Sequence, residues 1–163
     1  MSSSQISSVH GRRVWDSRGR PTVEVEIALN DGSVGRAIAP AGASTGGGEA
    51  IDRRDGGPLL GGWDVLGAVR SVDTEIAKCL HGLDATNQEA ADTALIELDG
   101  QPDKGRLGGN ALVATSMAIA HAAAGSAPLW QYLGGSADRR MPLPEIQIFG
   151  GGAHAARRVD FQD

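Results

Sequence analysis

The chain has 163 residues, of which 40% are hydrophobic, 4% aromatic and 21% charged, with 24 glycines and a formal net charge of −5. That length supports one domain with a core of its own, and the acidic balance argues against a nucleic-acid groove, which needs a clustered basic face. A single cysteine, Cys79, excludes an internal disulfide and fits a reducing cytoplasm, and neither a signal peptide nor a run long enough to span a membrane is legible.

Ile6 to Trp15, Thr22 to Leu29 and Ser33 to Ala39 read as strands, and Asn30-Asp31-Gly32 is a turn signal between the last two. Val23, Glu24, Val25, Glu26 and Ile27 alternate strictly, which predicts an antiparallel meander with one wet face. A helical period follows. Val65, Leu66, Val69, Val72, Ile76 and Leu80 mark a buried stripe on a helix from about Trp63 to Leu80, with Cys79 inside it. Thr86 with Glu89 three residues on is a capping-box pattern for a second helix, which runs to Leu98 and stops at Asp99-Gly100. Asn110 is the expected cap of a third, apolar on nearly all sides as far as Ala124 and therefore central. A short fourth spans Leu129 to Leu133.

At Met141-Pro142-Leu143-Pro144 the chain changes character, and Ile146 to Phe149 reads as a strand whose partners the chain does not contain. The expected division is thus 1–140 as one α+β domain, a three-stranded meander followed by about four helices, and 141–163 as a linker with the first strand of something incomplete.

Between the third strand and the first helix lies Ala41-Gly42-Ala43-Ser44-Thr45-Gly46-Gly47-Gly48-Glu49, running on into Arg53-Arg54-Asp55. Glycines there allow close backbone approach to a ligand, and Ser44 and Thr45 carry oxygen donors of the kind Mg²⁺ accepts. A mobile lid over a charged substrate is one reading; a plain surface loop from strand to helix is the other. The glycine runs 46–48 and 150–152 lack the lysine of a P-loop and the spacing of a dinucleotide fingerprint, so a nucleotide site is set aside.

The order of motifs resembles the N-terminal part of enolase. The resemblance rests on Asp16-Ser17-Arg18-Gly19 with Pro21, Gly42-Ala43-Ser44-Thr45-Gly46, Glu49-Ala50 and Arg54-Asp55-Gly56. It continues with Leu83-Asp84-Ala85-Thr86, Leu98-Asp99-Gly100, Gly108 with Asn110-Ala111, Tyr132-Leu133-Gly134-Gly135 and Gly151-Gly152-Ala153-His154. Each motif alone is weak, and together in this order they span nearly the whole chain.

The resemblance implies a phosphopyruvate hydratase, a carbon–oxygen lyase of glycolysis that interconverts 2-phosphoglycerate and phosphoenolpyruvate with two Mg²⁺ ions, cytoplasmic and paired as a homodimer through this region, with no nucleic-acid or membrane partner. It makes 141–163 the start of a (β/α)₈ barrel. Ser44 matches the loop serine that binds the second Mg²⁺, with Gly42, Ala43, Thr45 and Gly46 as its mobile surround. His154 matches a histidine at the phosphate end of the substrate. Asp163 matches a glutamate that assists the leaving hydroxide, one methylene shorter here, and Glu49 matches another acid near the site. Arg54-Asp55 is equally readable as a structural ion pair, and His10, His81 and His121 as surface or packing residues.

The base lysine and the metal-binding carboxylates belong to later barrel strands in the family, so the chain alone is expected to be inactive. The competing reading is a non-catalytic paralogue that pairs with a full-length enolase. Departures from the family are Arg20 for asparagine, Ala41 for serine, Gly109 for alanine, and Gln147 and Gly150 for asparagines. They mark a divergent branch.

Overall fold

The computed structural model describes residues 3–39, 41–42, 46–135, 140–146, 148, 150–156 and 158–159, with the backbone alone for 153 and 154. The chain divides into two units, Met1–Leu133 and Gly134–Asp163.

In the first unit, strands β1 (Ile6–Trp15), β2 (Pro21–Leu29) and β3 (Val34–Ile38) form an antiparallel sheet in the order β1-β2-β3. Register is set by two turns. At one end, Leu29 donates to the Ser33 carbonyl at 2.9 Å, Asp31 accepts from the Ser33 amide at 2.8 Å, and Gly32 takes φ +87°, a value only glycine adopts without strain. At the other, one oxygen of Asp16 accepts from the amides of Arg18 and Arg20, both at 2.8 Å.

The expected wet face of β2 is not wet. Val23, Val25 and Ile27 are fully buried against the helices, but Thr22 and Glu24 on the opposite face are buried too. The reason is that β2 is the central strand. Arg12 from β1 and Arg36 from β3 reach across it, Arg12 to Glu24 at 3.1 Å and to Glu26 at 2.8 Å, Arg36 to Glu26 at 2.5 Å, and their side chains cover it.

Helix α1 (66–80) is continuous but not uniform: α-helical turns at Leu66–Ser71 and Ala77–Leu80 flank a π-helical stretch, Val72–Ile76. Its core face is Val65, Ala68, Val72, Ile76 and Leu80, four residues apart after Ala68 and all fully buried. In an unbroken α-helix such spacing drifts by about 40° per step; the wider π turn takes up the excess. Leu66, expected in the stripe, is 45% exposed. The helix also starts three residues later than its apolar pattern suggests, because Asp55 reaches in to accept from the amides of Leu66 and Gly67, both at 2.8 Å, and so fixes the first turn.

Helix α2 (Gln88–Asp99) is capped by Asn87, whose side chain accepts from Ala90 at 3.1 Å, and not by Thr86. The Thr86 hydroxyl is taken by Asp84 at 2.8 Å, which removes it from the capping box. Gly100 at φ +73° ends the helix as expected. Helix α3 (Gly109–Ala124) lies across β2 and β3 with ten of its residues buried. It approaches the sheet at Gly35, where a Cβ would stand 2.1 Å from the Ala122 nitrogen. Helix α4 (Leu129–Gly134) is short and exposed.

In the second unit the described backbone forms one 3₁₀ turn, Gly152–Ala155, with Gly152 donating to the Val159 carbonyl at 2.9 Å. The strand expected at 146–149 is absent among the described residues: Ile146 and Ile148 are 79% and 80% exposed and belong to no ladder, while Gln147 and Phe149 lie outside those residues. An isolated strand has no partner for its backbone groups, so its apolar pattern alone does not make it one.

Candidate functional site

The glycine-rich loop leaves β3 and is held at both ends by side chains. On the near side, the Arg18 guanidinium donates to the carbonyls of Ala41 and Gly42, the latter at 3.3 Å, and Asp16 in turn pairs with Arg18. The same Asp16 carboxyl is held below its usual range, first by the Arg20 amide and then by the amide and charge of Arg18. On the far side, the Gly46 amide donates to the Glu49 carboxylate at 2.9 Å, and the Glu49 amide returns to the Gly46 carbonyl at 3.2 Å. Ala43, Ser44 and Thr45 lie outside the described residues, as does Asp163. His154 falls in the 3₁₀ turn of the second unit, where only its backbone is described.

Beside the loop opens a cleft of about 700 Å³, lined in part by Arg20, Gly42, Gly46, Glu49, Arg54 and Trp63. The segment that brings Asp52 and Arg54 to this cleft is fixed by groups that pattern reading assigned otherwise. Asn110, expected as a cap, sits inside α3, 1% exposed, and bridges the Arg53 backbone: it accepts from the Arg53 amide at 3.1 Å and donates to the Arg53 carbonyl at 3.2 Å. Gly108 takes the cap position instead, at φ +104°. A Cβ at Gly108 would meet Arg53 and Asn110 at 2.5 Å.

Arg54 and Asp55 do not pair with each other. Arg54 donates to the carbonyls of Pro21 at 2.5 Å and Trp63 at 3.0 Å and to Asp52 at 2.9 Å, whereas Asp55 serves α1. Below them Asp64, nearly buried, takes both oxygens to Arg13 at 3.0 and 2.8 Å. Burial opposes ionisation there, yet Arg13 and the Val65 amide outweigh it and hold the carboxyl below its ordinary range.

Arg13, Arg18, Asp64 and Asn110 were not assigned roles here from the sequence, since the partners that set those roles stand 23 to 57 residues away. The one legible signal was the Asp16-Ser17-Arg18-Gly19 motif itself. His10 and His81 face the edge of β1, His10 against Asp73 at 3.2 Å and His81 against the Ser7 carbonyl at 3.2 Å.

Among the described residues, no group of three or more His, Cys, Asp or Glu is placed to hold a metal ion. Of the acids in the cleft, Glu49 is occupied by the Gly46 amide, Asp52 by Arg54 and Asp103 by the Gly105 amide. These residues do not fit a Mg²⁺ site by themselves.

Residues 6–133 match the family model for the enolase N-terminal domain. The chain belongs to that family. Its three-stranded antiparallel sheet followed by helices is the architecture of this enolase domain. Curated relatives named enolase agree with it along its length. Those of Acidothermus cellulolyticus and of Lactobacillus delbrueckii subsp. bulgaricus are each 52% identical over 160 residues, 97% of this chain and 37% of the relative. That of Methanopyrus kandleri is 52% identical over 161 residues, 98% of this chain and 38% of the relative. The chain therefore spans just over a third of the length of the enolases it matches.

Proposed function

We propose that this chain supplies the N-terminal domain of an enolase-type lyase, which reversibly dehydrates 2-phosphoglycerate to phosphoenolpyruvate in glycolysis. The observation that carries the reading is 52% identity to enolases over 160 residues, spanning the cleft and its loop. In the proposal, residues 1–140 form the domain and 141–163 begin the barrel. The protein is cytoplasmic and homodimeric through this domain. No helix among the described residues is long and apolar enough to cross a membrane.

Abstraction of a proton beside a carboxylate builds negative charge on it, and water must be kept from the reacting groups. This domain's share is the exclusion of water and the placement of a loop. Arg18 on one stem and Glu49 on the other hold the described ends of the loop, Gly42 and Gly46, in place. Glu49, proposed near the chemistry by the resemblance, acts in this way as a positioning residue. Ser44, His154 and Asp163 keep the roles the resemblance assigns them, as loop donor, phosphate-end histidine and acid. The Mg²⁺ of the family is not assigned to the described residues, and no step is derived through it.

The test is the protein purified from its own cells, its intact mass measured and its conversion of 2-phosphoglycerate followed with and without chelator. Conversion that chelation abolishes supports the reading. A folded, metal-supplied preparation whose mass includes a barrel domain and that still produces no phosphoenolpyruvate overturns it.

A further inference from the structure

Arg20, which stands where the family usually has asparagine, is unlike the other arginines around the cleft. Arg13 is spent on Asp64, Arg18 on Asp16 and the loop carbonyls, and Arg54 on Asp52 and two carbonyls. Among the described residues the Arg20 guanidinium meets no carboxylate and no hydrogen-bond acceptor; it lies over the Trp63 ring, 4.6 Å from its centroid. That contact holds the guanidinium by one side through the ring quadrupole and leaves its five N–H donors unused.

Both supports are themselves fixed. The Arg20 amide is anchored on Asp16 at 2.8 Å. Trp63 follows a turn in which Leu60 and Gly61 are left-handed, at φ 50° and 62°, and its carbonyl is taken by Arg54, whose guanidinium lies 5.6 Å from the same ring. An arginine held in place before its ligand arrives loses little side-chain entropy on binding.

The geometry points to Arg20 as the anchor of a binding site for a single phosphate group at the mouth of this cleft. Phosphate suits it because three oxygens and a charge near −2 match the planar fork better than a neutral ligand does. Glu49, Asp52 and Asp103 line the same cleft, so its overall charge is not positive and it rejects polyanions. One small phosphate at the rim, free or carried as a monoester, meets the fork without entering the acidic part. The site needs no group beyond those named, so its test is independent of the lyase reading.

The experiment is a titration of the 163-residue chain with inorganic phosphate, and separately with 2-phosphoglycerate, against chloride at constant ionic strength. The Arg20 Nε–H and Trp63 indole resonances are followed by NMR. Saturable movement of both is expected, with binding weakened about tenfold or more in Arg20→Asn, the loss of a charge-assisted hydrogen bond. Arg20→Lys, which keeps the charge and loses the fork, is expected to fall between, and it preserves the test if the asparagine variant folds poorly. Saturation by phosphate alone makes the free ion a sufficient ligand; saturation by the monoester alone makes the site one for substrate capture. Absence of saturable movement with either ligand, or equal binding by wild type and Arg20→Asn, overturns the assignment.

Discussion

Replacing Gly35 with alanine is the sharpest test of how the sheet and α3 are joined. The new Cβ would stand 2.1 Å from the Ala122 nitrogen, 2.2 Å from the Ala118 oxygen and 2.7 Å from the Ala122 Cα, and real Cβ atoms essentially never approach within 3.0 Å. All three neighbours are helix backbone, which has no rotamer to turn away. Relief to 3.0 Å requires α3 to lift by roughly 0.9 Å (3.0 − 2.1), and the ten buried residues it carries would then lose contact along its length. Overpacking of this kind costs about 3 kcal/mol or somewhat more, offset by up to about 1 kcal/mol from the lower entropy of the unfolded chain. A net loss of about 2–3 kcal/mol follows, which lowers Tm by roughly 8 °C in a chain of this size. Urea unfolding followed by circular dichroism reads it directly. Gly47→Ala is the control, since a Cβ there meets nothing within 4 Å. Stability of Gly35→Ala within about 0.5 kcal/mol of wild type, the ordinary range of a surface change, would show that the close approach does not constrain the fold.

Asn110→Ala removes an amide that satisfies both backbone groups of Arg53 from inside α3, and leaves them unpaired in a half-buried segment. The expected cost is about 1–2 kcal/mol in urea unfolding; a loss under 0.5 kcal/mol would mean the Arg53 segment is held some other way. Arg13→Ala should cost about 1–2 kcal/mol at pH 7, discounted for the partial exposure of Arg13. Because the folded Asp64 carboxyl lies below its ordinary 3.8, the stability it contributes is present above that pH and lost as the pH falls through the folded value. The gap between Arg13→Ala and wild type should therefore close below pH 3.8, and a gap that stays constant down to pH 2 would refute the pairing. Arg18→Ala frees the carbonyls of Ala41 and Gly42, and amide exchange at Gly42 and Gly46 should quicken by up to about tenfold. Unchanged exchange there would remove Arg18 from control of the loop.

What could be read in advance were features whose cause is local. The strands follow from two-residue alternation and from Asn30-Asp31-Gly32, and α2 and α3 from helical spacing and Gly100. Errors arose where a distant residue intervened. The start of α1 is decided by Asp55, eleven and twelve residues from the amides it accepts; the capping of α2 turned on a local competition instead, Asp84 taking the Thr86 hydroxyl two residues on. Asn110 has the composition of a cap, but Gly108 and the Arg53 backbone give it other work. The loop was recognisable as a glycine-rich segment, yet nothing in its own residues announced that Arg18 and Arg20, on the β1–β2 hairpin, would reach its stem and the opposite wall of the cleft.

The π-helical stretch in α1 means that this helix carries one more residue than its core face requires. Ala68 and Leu80 are twelve residues apart, which in an unbroken α-helix would leave them about 120° out of phase, and they share a face only because the wide turn absorbs the surplus. A gene that lost the codon for Thr74, an exposed position inside that turn, would bring Val72, Ile76 and Leu80 to the i, i+3, i+7 spacing of a regular helix with the same residues pointing inward. Length variation is ordinarily tolerated in loops and ruinous in helices. Here α1 holds a place within regular structure where a one-residue deletion leaves the buried surface in register.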